Sequence, residues 1–336
     1  MKLYAFHLSG EHETLPRSEA LALLEIYSAR FKEICILDQC LLAEAEDLDV
    51  EALELRLGMT HSVIEVLAVC DASIDALAKA VRDVELPSKP YRIRAKRIKH
   101  ADLKADQVER EIGKWLHRRG YRADLQNPEV DLKALITEEK LIFGIEIARP
   151  DRSGFEDRRP HLKPFFHPGV LMPRIARTLV NIVQARPGER LLDSFAGTGG
   201  ILVEACLIGI RGLGVDVQRS LIRGATANII GLNCNLVLGD AKRLPLRDDS
   251  IDAAVLDIPY GRSASIRAKS RDELLEKSLT ELNRVLEPSK KMAIIADRPI
   301  DGYLKDAGFN VIEIHKERVH RSLTRHIFIC SKQRHH

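Results

Sequence analysis

The spacing of apolar and polar positions predicts two kinds of layer along the chain. Lys2 to Leu8 has the pattern of a strand. Ser18 to Arg30 puts Ala20, Leu23, Leu24 and Tyr27 on one face of a helix. Glu33 to Glu44 is rich in Ile, Cys and Leu, Val50 to Leu57 suits a short helix, and Ser62 to Cys70 suits a strand. Strands and helices in that alternation predict a small α+β layer over residues 1–70.

A second small unit is expected over 71–150. Asp71-Ala72-Ser73 can cap a helix running through Ala76, Leu77 and Val81. After a Pro-rich break, Tyr91 to Lys99 alternates Arg92, Arg94 and Lys96 with Ile93 and Ala95, which sets the cations on one face of a strand. A helix around Val108, Ile112 and Trp115 follows, and then a strand pair, Leu132 to Ile136 and Lys140 to Ile147. Residues 151–165, polar and carrying Arg152, Arg158 and Arg159, read as a linker. From 166 to 336 strands alternate with helices, the pattern of a doubly wound parallel sheet.

Composition narrows the class. With 336 residues, 45% hydrophobic and 30% charged, the chain suits two or three domains with proper cores. The net charge of +3 neither demands nor excludes a nucleic-acid partner, so clustering of cations is the better guide. Cys35, Cys40, Cys70, Cys206, Cys234 and Cys330 form no CxxC pair and no zinc spacing; no metal site is expected, and buried thiols are. No apolar run approaches the roughly 20 residues of a membrane span, and the N-terminus lacks a signal-like core. A cytosolic protein is expected.

Candidate chemistry is concentrated in the second half. Leu191 and Leu192 form a buried strand, and Asp193-Ser194-Phe195-Ala196-Gly197-Thr198-Gly199-Gly200 turns into a helix. Glycines there let a ligand approach the backbone at the carboxyl end of a strand. The loop does not fit G-x-G-x-x-G. A second strand, Gly212 to Val215, ends in Asp216, followed by Val217; such an acid can bond ribose hydroxyls. A third, Leu236 to Leu238, leads into Gly239-Asp240-Ala241, whose acid could meet an adenine amine. Three acids at successive strand ends resemble the class I S-adenosylmethionine methyltransferases, in which Asp193 would lie near the methionine end.

A fourth strand, Ile251 to Leu256, delivers Asp257-Ile258-Pro259-Tyr260-Gly261-Arg262-Ser263. This resembles the (D/N)-P-P-(Y/F) motif of amino-methyltransferases acting on bases, with Ile258 in place of the first proline. An exocyclic amine is a poor nucleophile because its lone pair is delocalised into the ring. A carboxylate accepting one N–H and a backbone carbonyl accepting the other would draw the nitrogen towards tetrahedral geometry. Asp257 and the Ile258 carbonyl suit those parts, Pro259 stiffens the turn, and Tyr260 would stack on the base, worth about 1–3 kcal/mol. No cysteine sits beside the motif, which argues against covalent attack on a pyrimidine carbon.

His161 to Gly169, Leu171 to Arg177, Asp257 to Ser263 and Arg318 to His326 together resemble the archaeal tRNA guanosine N2-methyltransferases that act at position ten. The resemblance implies a ferredoxin-like domain over 1–70, a THUMP domain over 71–150 and a Rossmann-fold methyltransferase over 166–336. Phe165, Phe166 and Pro168 would wall the cofactor pocket beside Asp193, Phe195, Ala196, Gly197, Thr198, Gly199, Asp216, Val217, Asp240 and Ala241. Arg92, Arg94, Lys96, Lys99, Arg152, Arg262 and Arg321 would meet RNA. Arg318, His320, Arg321 and Arg325, on a hairpin after the fifth strand, could approach RNA or brace the active site. The implied partners are tRNA and a small zinc-binding activator protein. The alternatives are a related enzyme acting at position six, an adenine N6-methyltransferase, a non-catalytic RNA-binding module and a nicotinamide-dependent oxidoreductase.

Overall fold

The computed structural model describes residues 1–99, 102–259, 268–320 and 323–333. The chain divides into two compact units, Met1–Asp151 and Arg152–His336.

The first unit runs β1 (Lys2–Leu8), α1 (Leu15–Tyr27), β2 (Arg30–Leu37), β3 (Cys40–Glu46), α2 (Val50–Arg56), β4 (Thr60–Asp71), α3 (Ile74–Ala80), β5 (Tyr91–Lys99), α4 (Ala105–Arg118), β6 (Val130–Thr137) and β7 (Lys140–Ala148). Its first six elements follow the β-α-β-β-α-β order of a ferredoxin-like fold, with strand order β2-β3-β1-β4. The stretch from Glu33 to Glu44 holds the hairpin of β2 and β3, in antiparallel register from Arg30↔Glu46 to Leu37↔Cys40. Helix α1 begins earlier than expected because Pro16 fits its first turn, and it stops at Tyr27, where the Ser28 N–H donates back to the Leu24 carbonyl.

The boundary expected at 70/71 falls inside a single sheet. Strand β4 pairs with β1 on one side and β7 on the other, so one sheet of order β2-β3-β1-β4-β7-β6-β5 spans the whole unit. Two of its clusters lie under the helices. Phe6, Leu23, Leu24, Leu41 and Leu53 pack under the first two helices. Leu77, Val108, Ile112, Leu116, Leu132 and Phe143 pack under α3 and α4. Val108, Ile112 and Leu116 recur every fourth residue and so line one face of α4; each fully buried side chain of this size contributes about 1.5–3 kcal/mol. The Ser73 side chain caps α3 by accepting from the Ala76 N–H.

The second unit runs α5 (Ser153–Asp157), α6 (Pro173–Ile182), β8 (Arg190–Asp193), α7 (Gly200–Cys206), β9 (Arg211–Asp216), α8 (Arg219–Asn228), β10 (Cys234–Leu238), β11 (Ala253–Asp257), α9 (Ala268–Val285), β12 (Lys291–Ala296), α10 (Asp301–Asp306), β13 (Phe309–His320) and β14 (Leu323–Lys332). Its sheet has the order β10-β9-β8-β11-β12-β14-β13. The strands from β8 to β12 are parallel to one another, and β14 is antiparallel to both β12 and β13. The chain winds outward from β8 in one direction and resumes at β11 in the other. The switch point therefore lies between β8 and β11, with a crevice at their carboxyl ends.

Residues 152–165, expected as a linker, belong to this second unit. Phe155 and Pro160 are buried, and the guanidinium of Arg158 lies 4.9 Å from the centre of the Phe155 ring. Arg158 Nε also reaches Glu204 Oε1 of α7 at 2.7 Å. A polar composition hid two buried side chains and a buried ion pair. The cysteines differ from expectation as well: Cys206 and Cys234 are paired as a disulfide across Gly212, while Cys35, Cys40, Cys70 and Cys330 are free.

Candidate active site

The end of β8 and the loop after it form one wall of the crevice. Gly197 and Gly199 adopt φ of 50° and 76°, the left-handed region that favours glycine, and the loop passes from there into α7. Asp216, at the end of β9, ties this loop down: its Oδ2 accepts from the Gly197 N–H at 2.9 Å and its Oδ1 from the Gln218 N–H at 2.8 Å. A carboxylate has about four lone-pair sites, so Asp216 keeps acceptor capacity for a diol. Ala196 donates its N–H to the Val215 carbonyl at 3.0 Å. Thr198 and Ala241 are buried, Phe195 and Asp240 are half-buried, and Val217 is exposed. Asp240 accepts from the Lys242 N–H at 2.9 Å and pairs with the Lys242 ammonium at 3.6 Å.

Asn228, at the end of α8, has no counterpart among the residues expected from sequence. Its Oδ1 accepts from the Phe165 N–H at 3.0 Å, and its Nδ2 donates to the carbonyls of Phe165 and Thr198, each at 2.9 Å. One amide thus joins the segment before α6 to the glycine loop. Phe165 is half-buried there, whereas Phe166 and Pro168 are exposed.

Asp257 ends β11 on the other side of the switch point. Its Oδ1 is buried and has no hydrogen-bond partner among the described residues. The Ile258 N–H donates to the Ile295 carbonyl at 3.1 Å, which tethers the motif to β12. Burial pushes the Asp257 carboxyl up to about 7, against the pull of the Arg325 guanidinium and with a further push from Glu317. Burial likewise raises Asp193 to about 8; the Phe195 N–H opposes it, while Asp257 and Asp216 add to it. Two acids that resist ionisation therefore face the same crevice, an arrangement that favours a cationic ligand. Ile258 is half-buried and Pro259 exposed. Tyr260, Arg262 and Arg321 lie outside the described residues.

Arg325 takes the bracing place of the two left open for it. It is buried on β14, pairs with Glu317 of β13 at 3.3 Å and donates to the Gly169 carbonyl at 3.1 Å. Four of the other expected RNA contacts lie on β5. Arg94 and Lys96 are exposed on β5. Arg92 is half-buried and pairs with Asp131 at 2.7 Å, and Lys99 pairs with Asp38 at 3.4 Å. Arg152 is half-buried at the start of α5.

The switch-point crevice, the glycine loop and the acids at four strand ends define a class I S-adenosylmethionine-dependent methyltransferase. Comparison with known proteins agrees: residues 160–327 match the RMKL-like methyltransferase domain and residues 71–146 the THUMP domain. The chain is 31% identical to the tRNA (guanine(10)-N2)-dimethyltransferase of Methanothermobacter thermautotrophicus, over 97% of this chain and 98% of that one. It is 30% identical to the enzyme of the same name from Pyrococcus abyssi, over 97% and 99%. The crystal structure of TrmN from Thermus thermophilus shares the fold, with a TM-score of 0.56 at 22% identity, covering 98% of this chain and 99% of that one. The chain belongs to the tRNA (guanine(10)-N2)-dimethyltransferase family. Its methyl donor is S-adenosylmethionine. The residues present fit that group, since the buried acids suit its positive charge and the glycine loop leaves its backbone open.

Proposed function

We propose that this protein methylates the exocyclic N2 of guanosine 10 in cytoplasmic tRNA, giving N2-methylguanosine and then N2,N2-dimethylguanosine. The observation that carries the reading is the buried Oδ1 of Asp257 at the switch point, which has no hydrogen-bond partner among the described residues. An enclosed acceptor without a donor costs about 1–3 kcal/mol, and an amine N–H entering the crevice would relieve it. The full-length likeness to enzymes named for position ten supports that position over position six.

In this reading Asp193, Phe195, Ala196, Gly197, Thr198, Gly199, Phe165 and Pro168 surround the methionine end, Asp216 and Val217 the ribose, and Asp240 and Ala241 the adenine. Bound S-adenosylmethionine supplies an electrophilic methyl on a sulfonium. Asp257 Oδ1 accepts one N–H of the guanine amine and the Ile258 carbonyl the other, which frees the nitrogen lone pair for attack. As the nitrogen gains its bond to the methyl carbon and the carbon–sulfur bond breaks, leaving S-adenosylhomocysteine, the N–H proton would pass to Asp257, whose affinity for protons near neutral pH suits it to that task. Tyr260 is the base-stacking partner by its place in the motif. The target base must leave its stack to reach it. Arg94 and Lys96 of the first unit would contribute phosphate contacts, which grip without reading sequence.

The test is methyl transfer to unmodified tRNA transcripts, with the product nucleoside and its position mapped by mass spectrometry. Methylated guanosine at position ten is expected. Product at position six, methyladenosine, or no product would overturn the assignment. A small zinc-binding activator is the partner that the resemblance implies, and assays with and without such a protein measure that dependence.

A further inference from the structure

The segment before α6 carries a cation that neither the fold nor the proposed reaction uses. Lys163 is half-buried, and its Nζ lies 3.8 Å from where a Cβ on Gly200 would stand, directly over the end of the glycine loop. Among the described residues its ammonium makes no salt bridge and no hydrogen bond.

The nearest acid is already taken. Glu204 lies one turn along α7 from Gly200, fully buried, and both its oxygens are engaged: Oε1 with Arg158 at 2.7 Å and Oε2 with Arg177 at 3.0 Å. With both carboxylate oxygens engaged, the Lys163 ammonium is left without an anion among the described residues, in a partly dry setting. Uncompensated charge of this kind is costly and calls for an anion. Burial holds the Lys163 ammonium below the usual lysine range; Glu204 opposes that fall and Arg158 adds to it.

The loop is therefore electrically polar along its length. Asp193, at its start, resists ionisation among other acids, while Gly200, at its end, lies under an unpaired cation. The methionine moiety of S-adenosylmethionine carries both signs of charge, an ammonium and a carboxylate on its α-carbon and a sulfonium further along the chain.

We infer that Lys163 is a cofactor-binding residue whose ammonium takes the α-carboxylate of the methionine moiety at the Gly200 end of the loop. The assignment rests on the proposed orientation of the cofactor in the crevice. It does not depend on which tRNA position is methylated.

The test is calorimetric and needs no turnover. Lys163→Met removes the charge while keeping an unbranched side chain of similar length, and Lys163→Arg keeps the charge. Two probes are titrated into the full chain: S-adenosylhomocysteine, which carries the carboxylate, and 5′-methylthioadenosine, which lacks the whole amino-acid end. Lys163→Met should weaken S-adenosylhomocysteine roughly tenfold to a hundredfold, as expected for a charge-assisted contact. It should leave methylthioadenosine within about twofold, and Lys163→Arg should recover most of the loss. Unchanged S-adenosylhomocysteine affinity would overturn the assignment, and so would an equal loss for both probes, which would make Lys163 a support of the pocket's shape. A fall in tRNA affinity with the cofactor product unaffected would overturn it in favour of an RNA phosphate. If the wild-type chain bound neither probe, the crevice reading itself would fail.

Discussion

Phe165 lies flat against Gly224 of α8, so close that a Cβ on Gly224 would come within 2.2 Å of its ring. Asn228, one turn further along, holds the Phe165 backbone at both its N–H and its carbonyl. The aromatic side chain is thus fixed by a missing methyl group on one residue and an amide on another. Gly224→Ala should favour helix α8 by about 1 kcal/mol through propensity alone. The ring, however, cannot stay where it is. S-adenosylhomocysteine affinity should fall about tenfold in calorimetry while the far-ultraviolet dichroism stays unchanged; unaltered affinity would remove Phe165 from the cofactor wall.

Asp257→Ala should reduce kcat about 10²- to 10⁴-fold, the range for losing a positioned proton acceptor. S-adenosylhomocysteine binding should stay within about twofold. Turnover near the wild-type level would exclude Asp257 from the reaction.

The rate should depend on pH through the same carboxyl group. Asp257 can take up the amine proton only when ionised, and its carboxyl is raised to about 7, so kcat/KM should climb as pH rises through about 7. Arg325 pulls that value down and Glu317 pushes it up, with Asp193 the other acid close enough to interact. Arg325→Met should therefore move the acidic limb to higher pH, and Glu317→Gln should move it lower. Parallel shifts in the two variants would separate the hairpin from the titration of Asp257.

Asp193 carries a stability signature of its own. Its carboxyl is raised from 3.8 to about 8 in the folded chain, so the native state holds the proton more tightly than the unfolded chain. That contribution is fully present below about pH 4 and is lost as pH rises through about 8. Asp193→Asn keeps an oxygen for the Phe195 N–H and cannot ionise. Its midpoint of thermal unfolding, relative to wild type, should be higher at pH 9 than at pH 5, each kcal/mol amounting to about 2–4 °C. Equal differences at the two pH values would mean that Asp193 ionises freely.

The basic strand of the first unit can be dissected residue by residue. Arg94→Glu and Lys96→Glu should weaken tRNA binding and flatten its salt dependence, leaving S-adenosylhomocysteine affinity unchanged. Arg92→Ala should have a smaller effect, because Arg92 is already paired with Asp131. Filter-binding at several salt concentrations tests all three. A uniform lack of effect would take β5 out of the interface.

Much of the catalytic unit could be read locally. Asp193, Asp216, Asp240 and Asp257 each follow a short apolar run that ends in a turn, and both period and punctuation are properties of a few adjacent residues. The hairpin of β13 and β14 was expected from the family resemblance of Arg318 to His326 rather than from local period. Arg158 and Phe155 were not legible: a polar stretch looks like a linker until Glu204, 46 residues away from Arg158, is placed beside it. Nor was the continuity of the first sheet, since the pairing of β4 with β7 joins segments that each looked complete.

The sequence by itself therefore determined the chemistry available at the strand ends, a carboxylate at Asp257 and a glycine loop after Asp193, because backbone period and side-chain type are local. Only the tertiary structure decided how those groups are held and tuned. Asn228 meets Phe165 across 63 residues, Arg325 meets Gly169 across 156, and Lys163 comes to rest over Gly200. Burial, which raises Asp193 and Asp257, is likewise set by the packing of several distant segments around one point, and no stretch of sequence carries that information alone.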